Sequence, residues 1–205
     1  MGNNPVVLPL VDIKEDNLIS LLNKRHSCRI FSSKKLTLKE VSLLLWSSNG
    51  LRVDAKSRAT RVIPSAGATY PLEIFLVVGE DSVGNLKEGV YYYDYRGHSL
   101  KILKAGDIRG KLSEVCLGQE FISRAAVSIV ICARYSRTTS FYGKRGIRYV
   151  WMEAGHACQN IYLICASLGL GTVEVGAYND EGVKRVLDLP GDLEVLSIMP
   201  VGHSA

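Results

Sequence analysis

The sequence predicts an α+β sandwich folded as a single domain over residues 1–205. Three observations lead there. Helical signals come first along the chain, and a mixed run of strands and helices follows. Ala126–Ala133 is a continuous apolar run, as expected of a strand buried on both faces. No repeat, low-complexity tract or long linker divides the chain, and 205 residues are enough to bury one sizeable core.

Asp16 is placed to cap a first helix over Asn17–Lys24. Thr37-Leu38-Lys39-Glu40 is a capping box, because a threonine hydroxyl and a glutamate three residues on can each serve the other's backbone N–H. That second helix presents Val41, Leu44 and Leu45 on one face and stops at Asn49-Gly50. Arg52–Arg61 reads as a polar, mobile connection. Strands follow at Ile74–Val78, Val90–Tyr95 and Leu100–Leu103, with Asp94–His98 as the hairpin loop between the last two. Asp107 caps a helix running to Cys116. After the apolar strand, a long helix covers Arg148–Ser167 and ends at Gly169. Strands at Thr172–Tyr178 and Val195–Val201 flank a short helix, Asp180–Leu187.

Composition narrows the function. Apolar residues make up 47% of the chain and charged residues 22%, as in ordinary globular proteins. No segment has the length of a membrane span and the N-terminus lacks a signal-peptide pattern, so the default location is the cytoplasm. The five cysteines form no CxxC pair and read as buried thiols; no metal site is expected from their spacing. A net charge of +5 suits small anionic ligands. Nucleic acid is disfavoured, since the basic residues form no stripe.

The most informative stretch is Arg61–Glu73. Small residues run from Ser65 to Ala68 between Pro64 and Pro71. Such a lining lets backbone N–H and C=O groups reach a planar ligand directly. Read alone, it is a tight turn entering a strand. Other segments fit the same site: Lys24–Phe31, Tyr142–Tyr149, Met152–Asn160, Gly169–Tyr178 and Pro200-Val201-Gly202. In this order, across nearly the whole chain, they resemble the nitroreductase family, and more narrowly its SagB-type FMN dehydrogenase-like branch.

The resemblance implies a nitroreductase-like α/β sandwich, a central mixed sheet flanked by helices, in an intertwined homodimer. It implies FMN as cofactor, NAD(P)H as electron donor, and a flat small-molecule acceptor such as a nitroaromatic or quinone. Pro64, Ser65, Ala66, Gly67 and Ala68 of one subunit would meet the basic turn of the other. In that turn the family's Arg-x-Ser-x-Arg pattern puts Arg25 and Ser27 at the flavin phosphate or ribityl chain, beside His26, and Arg29 at the pyrimidine edge. A guanidinium there stabilises charge gained on reduction. Backbone N–H groups of the Glu174–Gly176 strand, above all Val175 and Gly176, would face the redox-active ring nitrogen. Taken by themselves, these segments are a basic surface turn and a strand with glycine ends.

Two positions depart from the family pattern. Where azoline-oxidising relatives pair lysine with tyrosine, this chain has Arg148-Tyr149, and arginine is a poor base. A basic residue past the Pro-Val-Gly is replaced by His203, so phosphate binding would lean on Arg25 and Arg148. On the long helix, Glu153 and His156 share a face by spacing, as do His156 and Asn160. One Glu-x-x-His motif is too few for a di-iron centre. Gln159 and Asn160 read as a satisfied polar network, and Ala154, Gly155 and Ala157 suit close packing at a dimer seam. Two further readings remain open: oxidation of a peptide azoline or related C–N bond, and a non-catalytic flavin carrier.

Overall fold

The computed structural model describes residues 6–9, 18–53 and 60–205. Asp16, the proposed first cap, lies outside the described residues, as do positions 54–59 of the expected mobile connection. The chain runs β1 (Val6–Val7), α1 (Leu18–Lys24), α2 (Leu38–Asn49), β2 (Leu72–Val78), β3 (Gly89–Asp94), β4 (Ser99–Ala105), α3 (Arg109–Val115), α4 (Phe121–Arg124), β5 (Val127–Ala133), α5 (Tyr135–Tyr142), α6 (Arg145–Leu168), β6 (Leu170–Thr172), α7 (Asp180–Leu187) and β7 (Glu194–His203). The seven strands form one sheet in the order β1-β4-β3-β2-β5-β7-β6. Helices cover both faces, as the α+β reading expects.

One feature of that reading is corrected. Every strand ladder in this sheet is antiparallel, where a mixed sheet was expected. The strands β2, β3 and β4 form a meander with short connections, which forces alternating directions. The longer connections to β5 and β7 also return the chain in the opposite sense.

The sheet's two faces explain why its central strands read as unbroken apolar runs. Leu72, Ile74, Leu76 and Val78 of β2 join Val127, Ile129, Ile131 and Ala133 of β5 in a core under α2 and α6. The intervening Phe75, Val77, Val130 and Cys132 enter a second core under α3 and α7. Side chains alternate faces along a strand, so a strand covered on both sides must be apolar throughout. Each fully buried Val, Leu, Ile or Phe contributes roughly 1.5–3 kcal/mol.

The capping box of α2 closes in both directions: Glu40 Oε2 accepts from Thr37 N at 2.6 Å, and Thr37 Oγ1 accepts from Glu40 N at 3.2 Å. Asp107 sits one residue before the α3 cap and accepts from Arg109 N at 3.0 Å, so it anchors the helix start without being its cap. The strand expected at Thr172–Tyr178 is broken. Its ladder with β7 ends at Thr172, and pairing resumes for one residue, Val175 against Ile198. All five cysteines are buried and unpaired. Burial pushes the Cys116 thiol up to about 12 and raises Cys132, Cys158 and Cys165 as well, so these four rest protonated.

Candidate active site

Helix α6 is the spine of the site. It holds one group of candidate residues near Tyr162 and another near Glu153. Nine residues separate the two, a rise of roughly 13 Å.

The Tyr162 group contains the basic turn. Arg25 lies over the Tyr162 ring, 5.2 Å from its centroid, and Ser27 Oγ is 3.4 Å from the Tyr162 hydroxyl. The same hydroxyl accepts the Glu174 N–H at 2.7 Å. Cys28 N donates to Thr172 O at 2.8 Å, which pins the turn to the end of β6. Gly171 is required here, since a Cβ would come within 2.5 Å of Cys28 Sγ. One tyrosine therefore joins the Arg25–Arg29 turn to the Glu174–Gly176 segment. It also explains the broken strand, because the Glu174 amide is diverted from the sheet to a side chain.

Arg25 and Arg29 have no acidic partner among the described residues, so their charge is available to an anion. Arg29 is exposed, with its guanidinium 6.0 Å from the Phe121 ring centroid. His26 is exposed and its Nδ1 lies 3.1 Å from Lys24 O. The three amides proposed to face a ligand differ in fate. Glu174 N serves Tyr162, and Val175 N donates to Ile198 O at 2.9 Å. Val175 is thereby removed as a donor: the single ladder bridge to β7 uses it. Gly176 is exposed, its N–H has no partner among the described residues, and nothing lies within 4 Å of where its Cβ would be.

The Glu153 group contains the small-residue wall. Ala66–Ala68 form one 3₁₀ turn, and Ser65 Oγ accepts from Tyr70 N at 2.9 Å. Three residues of this short stretch have positive φ: Gly67 at 57°, Ala68 at 55° and Tyr70 at 45°. For Ala68 and Tyr70 that conformation costs on the order of 1–2 kcal/mol each. The wall leans on α5. Thr69 Oγ1 lies 2.8 Å from Thr138 Oγ1, and a Cβ on Gly67 would stand 2.5 Å from the Tyr142 hydroxyl. Tyr142 in turn meets Tyr149 edge to face at 5.1 Å.

Two further ionisable side chains, Arg61 and Glu153, are buried although no motif announced them. Arg61 is only 6% exposed. Its guanidinium donates to Asn49 Oδ1 at 2.7 Å and lies 3.7 Å from the Tyr95 ring centroid and 4.6 Å from that of Tyr70. Desolvation lowers its pKa, opposed by Tyr95 and by Glu153. Glu153 is 2% exposed, and its Oε1 has no hydrogen bond. Desolvation raises its pKa to about 7, against the pull of the Ser65 hydroxyl and Arg61 toward the charged form.

Other expectations are revised. Glu153 and His156 do not act together, because Glu153 turns into the core while His156 is exposed. Asn160 does belong to an internal network, donating to Ser47 O at 2.9 Å, but Gln159 is exposed. Ala154 and Ala157 pack into the protomer's own core, and Gly155 alone faces outward. Arg148 is exposed at the start of α6, 14 residues from Tyr162. Within one protomer it belongs with the wall and lies far from Arg25. His203 Nε2 lies 3.9 Å from Glu40 Oε1. A carboxylate beside the imidazole disfavours a phosphate there, so His203 is a poor substitute for the missing basic residue.

A cleft of about 310 Å³ on the other face of the sheet is lined by Glu73, Phe75, Tyr92 and Arg134. Glu73 is already held by Arg137 and by the Tyr92 hydroxyl, and the cleft shares no residue with either group on α6.

The nitroreductase family model matches residues 22–203, nearly the whole chain. The chain belongs to the nitroreductase family. A protein of Methanocaldococcus jannaschii, provisionally named a nitroreductase, is 44% identical over 196 residues, covering 96% of each chain. The SagB-like branch is represented by the microcin B17-processing protein of Escherichia coli, 26% identical over 158 residues, 76% of this chain and 57% of that one. Among solved structures, a provisionally named nitroreductase of Ralstonia eutropha superposes with a TM-score of 0.83 at 28% identity, covering 98% of this chain and 90% of the other. Membership places the chain among the oxidoreductases. No described helix is long and apolar enough to cross a membrane, and the described residues form no cluster suited to a metal ion.

Proposed function

We propose that this nitroreductase-family chain is an FMN-dependent oxidoreductase that accepts electrons from NAD(P)H and delivers them to a flat acceptor such as a nitroaromatic or quinone. The observation that carries this reading is the Tyr162 hydroxyl. It binds the unpaired basic turn to the Glu174 amide and leaves the Gly176 N–H, two residues on, without a partner. Cationic donors for an anion and a free amide for a ring nitrogen are what the cofactor requires. When bound, FMN supplies the hydride-accepting ring. The chain would hold its phosphate with Arg25 and Ser27, place the Arg29 charge at the pyrimidine edge, and donate the Gly176 N–H to the redox-active nitrogen. The wall of Ser65–Ala68 would offer a flat, small-residue surface to the ring.

The wall and the basic turn lie at different levels of α6. This supports a homodimer in which the wall of one copy meets the turn of the other. The outward surfaces of α5 and α6 fit that assembly: Phe141 is 79% exposed, Trp151 50% and Met152 55%. Helix α1 buries none of its seven residues in its own protomer.

The purified protein should be yellow, with a flavin absorbance band, and should oxidise NADH or NADPH in the presence of a quinone. A colourless protein that takes up no added FMN overturns the reading. Flavin binding without turnover would favour a carrier. The microcin-processing relative supports oxidation of a peptide azoline as a second reading, although this chain spans 57% of that relative's length. Arg148 beside Tyr149 argues against it, since a guanidinium cannot serve as the base. A synthetic azoline peptide, oxidised faster than any quinone is reduced, would select the second reading.

A further inference from the structure

Tyr70, at the end of the wall, holds an unfavourable backbone shape for two reasons. Its φ of 45° is left-handed, and it precedes Pro71, a position that favours extended backbone. Such a shape persists only where the surroundings fix it. Every polar group of Tyr70 is held. Its N–H donates to Ser65 Oγ at 2.9 Å, and its hydroxyl accepts from Thr60 N at 3.0 Å. Both bonds stay within the same segment, so they do not set where the turn lies against the rest of the fold. The third bond does: the Tyr70 carbonyl accepts from Arg137 Nη1 of α5 at 3.0 Å. Arg134 N, just before α5, donates to Pro71 O at 2.9 Å and pins the next residue at the same place.

We propose that Arg137 is the positioning residue of the ligand wall: one guanidinium nitrogen holds the Tyr70 carbonyl, another is anchored on the Glu73 carboxylate, and this clamp keeps the Ser65–Tyr70 turn in the shape a bound flavin meets. The ligand named here rests on the proposed function; the clamp itself does not. Its anchor is firm. Arg137 Nη2 donates to Glu73 Oε1, and Glu73 is buried on β2. Glu73 Oε2 accepts from the Tyr92 hydroxyl at 2.8 Å, and Arg134 Nε stands 3.6 Å from Oε1. Three side chains thus converge on one carboxylate and fix its orientation. A guanidinium is planar and rigid, so securing one nitrogen aims the other. An exposed ion pair of this kind would contribute little, but a buried carboxylate and a charge-assisted bond to a backbone carbonyl make the link directional. The clamp ties the wall to the sheet, which the wall's own hydrogen bonds do not reach.

The clamp is tested first on the flavin-free protein, by amide hydrogen exchange. The reporters are Ala68 N, bonded to Ser65 O at 3.1 Å, Thr69 N, bonded to Ala66 O at 3.2 Å, and Tyr70 N. In Arg137→Met these amides should exchange about tenfold faster, while the β5 core amides keep their rates. Unchanged exchange at all three overturns the proposal. FMN affinity, measured by fluorescence quenching, should then fall about fivefold in the same variant. Wild-type affinity there would also overturn it. Arg134→Met separates positioning from general stability, since the Arg134 side chain also meets Glu73 but makes no bond to the wall. That variant should keep wall exchange and FMN affinity within about twofold of wild type. Equal losses in the two variants would reduce Arg137 to a structural ion pair and overturn the proposal. If Arg137→Met does not fold, Arg137→Lys carries both measurements with the same expected direction, because an ammonium keeps the charge but lacks the planar fork. A wild-type protein that binds no FMN overturns the proposed function, and the exchange rates still decide the clamp.

Discussion

Tyr162 shows how much can depend on one hydroxyl. It accepts from the Glu174 amide at 2.7 Å, lies 3.4 Å from Ser27 Oγ, and its ring carries Arg25. Tyr162→Phe keeps the ring, and with it the cation–π contact, but removes the oxygen. Both tethered segments are exposed, so water can satisfy the freed amide, and the stability loss should stay at about 1 kcal/mol. Positioning should suffer more. The basic turn and the Gly176 amide would lose their common anchor, and FMN affinity should fall about fivefold in a fluorescence titration. Unchanged affinity would show that the two segments hold their places without Tyr162. Glu153 makes a separate prediction about stability. Its carboxyl rises from 4.5 to about 7 on folding, so the folded state keeps a proton that the unfolded state releases. The resulting stabilisation is complete below pH 4.5 and lost as pH rises to 7, a decline of about 3 kcal/mol from this group. Glu153→Gln should flatten that part of the urea-unfolding profile. A profile that keeps its slope in the variant would rule out Glu153 as the titrating group.

At the scale of elements, the close contact of α5 with α6 turns on a glycine. A Cβ on Gly146 would stand 3.0 Å from the Thr139 backbone. Gly146→Val should therefore push the helices apart and cost roughly 1–3 kcal/mol, read from the urea midpoint. Wall residues should move with α5, since Thr138 and Tyr142 support Thr69 and Gly67. The sequence hid this element. Tyr135–Tyr142 contains serine and threonines, weak helix formers, and its helix is stabilised by docking on α6. The capping box of α2 and the run of β5 were legible because each is decided by residues adjacent in the chain. Strand direction was not, which is why the sheet was expected to be mixed. The same division holds at the site. The basic turn, the small-residue wall and the glycine at 176 could be read as short motifs. The diversion of the Glu174 amide to Tyr162, which leaves Gly176 alone as the free donor, depends on a residue 12 positions away. Arg61 and Glu153 gave no local signal of their burial, since it is decided by packing between segments 92 positions apart.

For the whole molecule, the question is what covers the apolar surface that α6 and its neighbours leave exposed. Ile147, Trp151 and Met152 point outward from the first half of α6, next to Phe141 at the end of α5. Leu18, Ile19 and Leu22 do the same on α1. Apolar side chains of this size grouped on one surface mark an association site more often than a free one. A second copy placed there would bring its basic turn to this copy's wall, and each ligand site would draw on both chains. Trp151→Glu tests this, because a charge at the seam disfavours the assembly while an exposed position leaves the protomer's own core intact. The variant should elute as a monomer in light-scattering chromatography, keep its far-UV circular dichroism, and lose flavin although every residue proposed to touch the ligand is unchanged. Flavin retained by a monomeric variant would place the whole site within one chain, and the roughly 13 Å between its basic turn and its small-residue wall along α6 would then have to be closed by movement within the protomer.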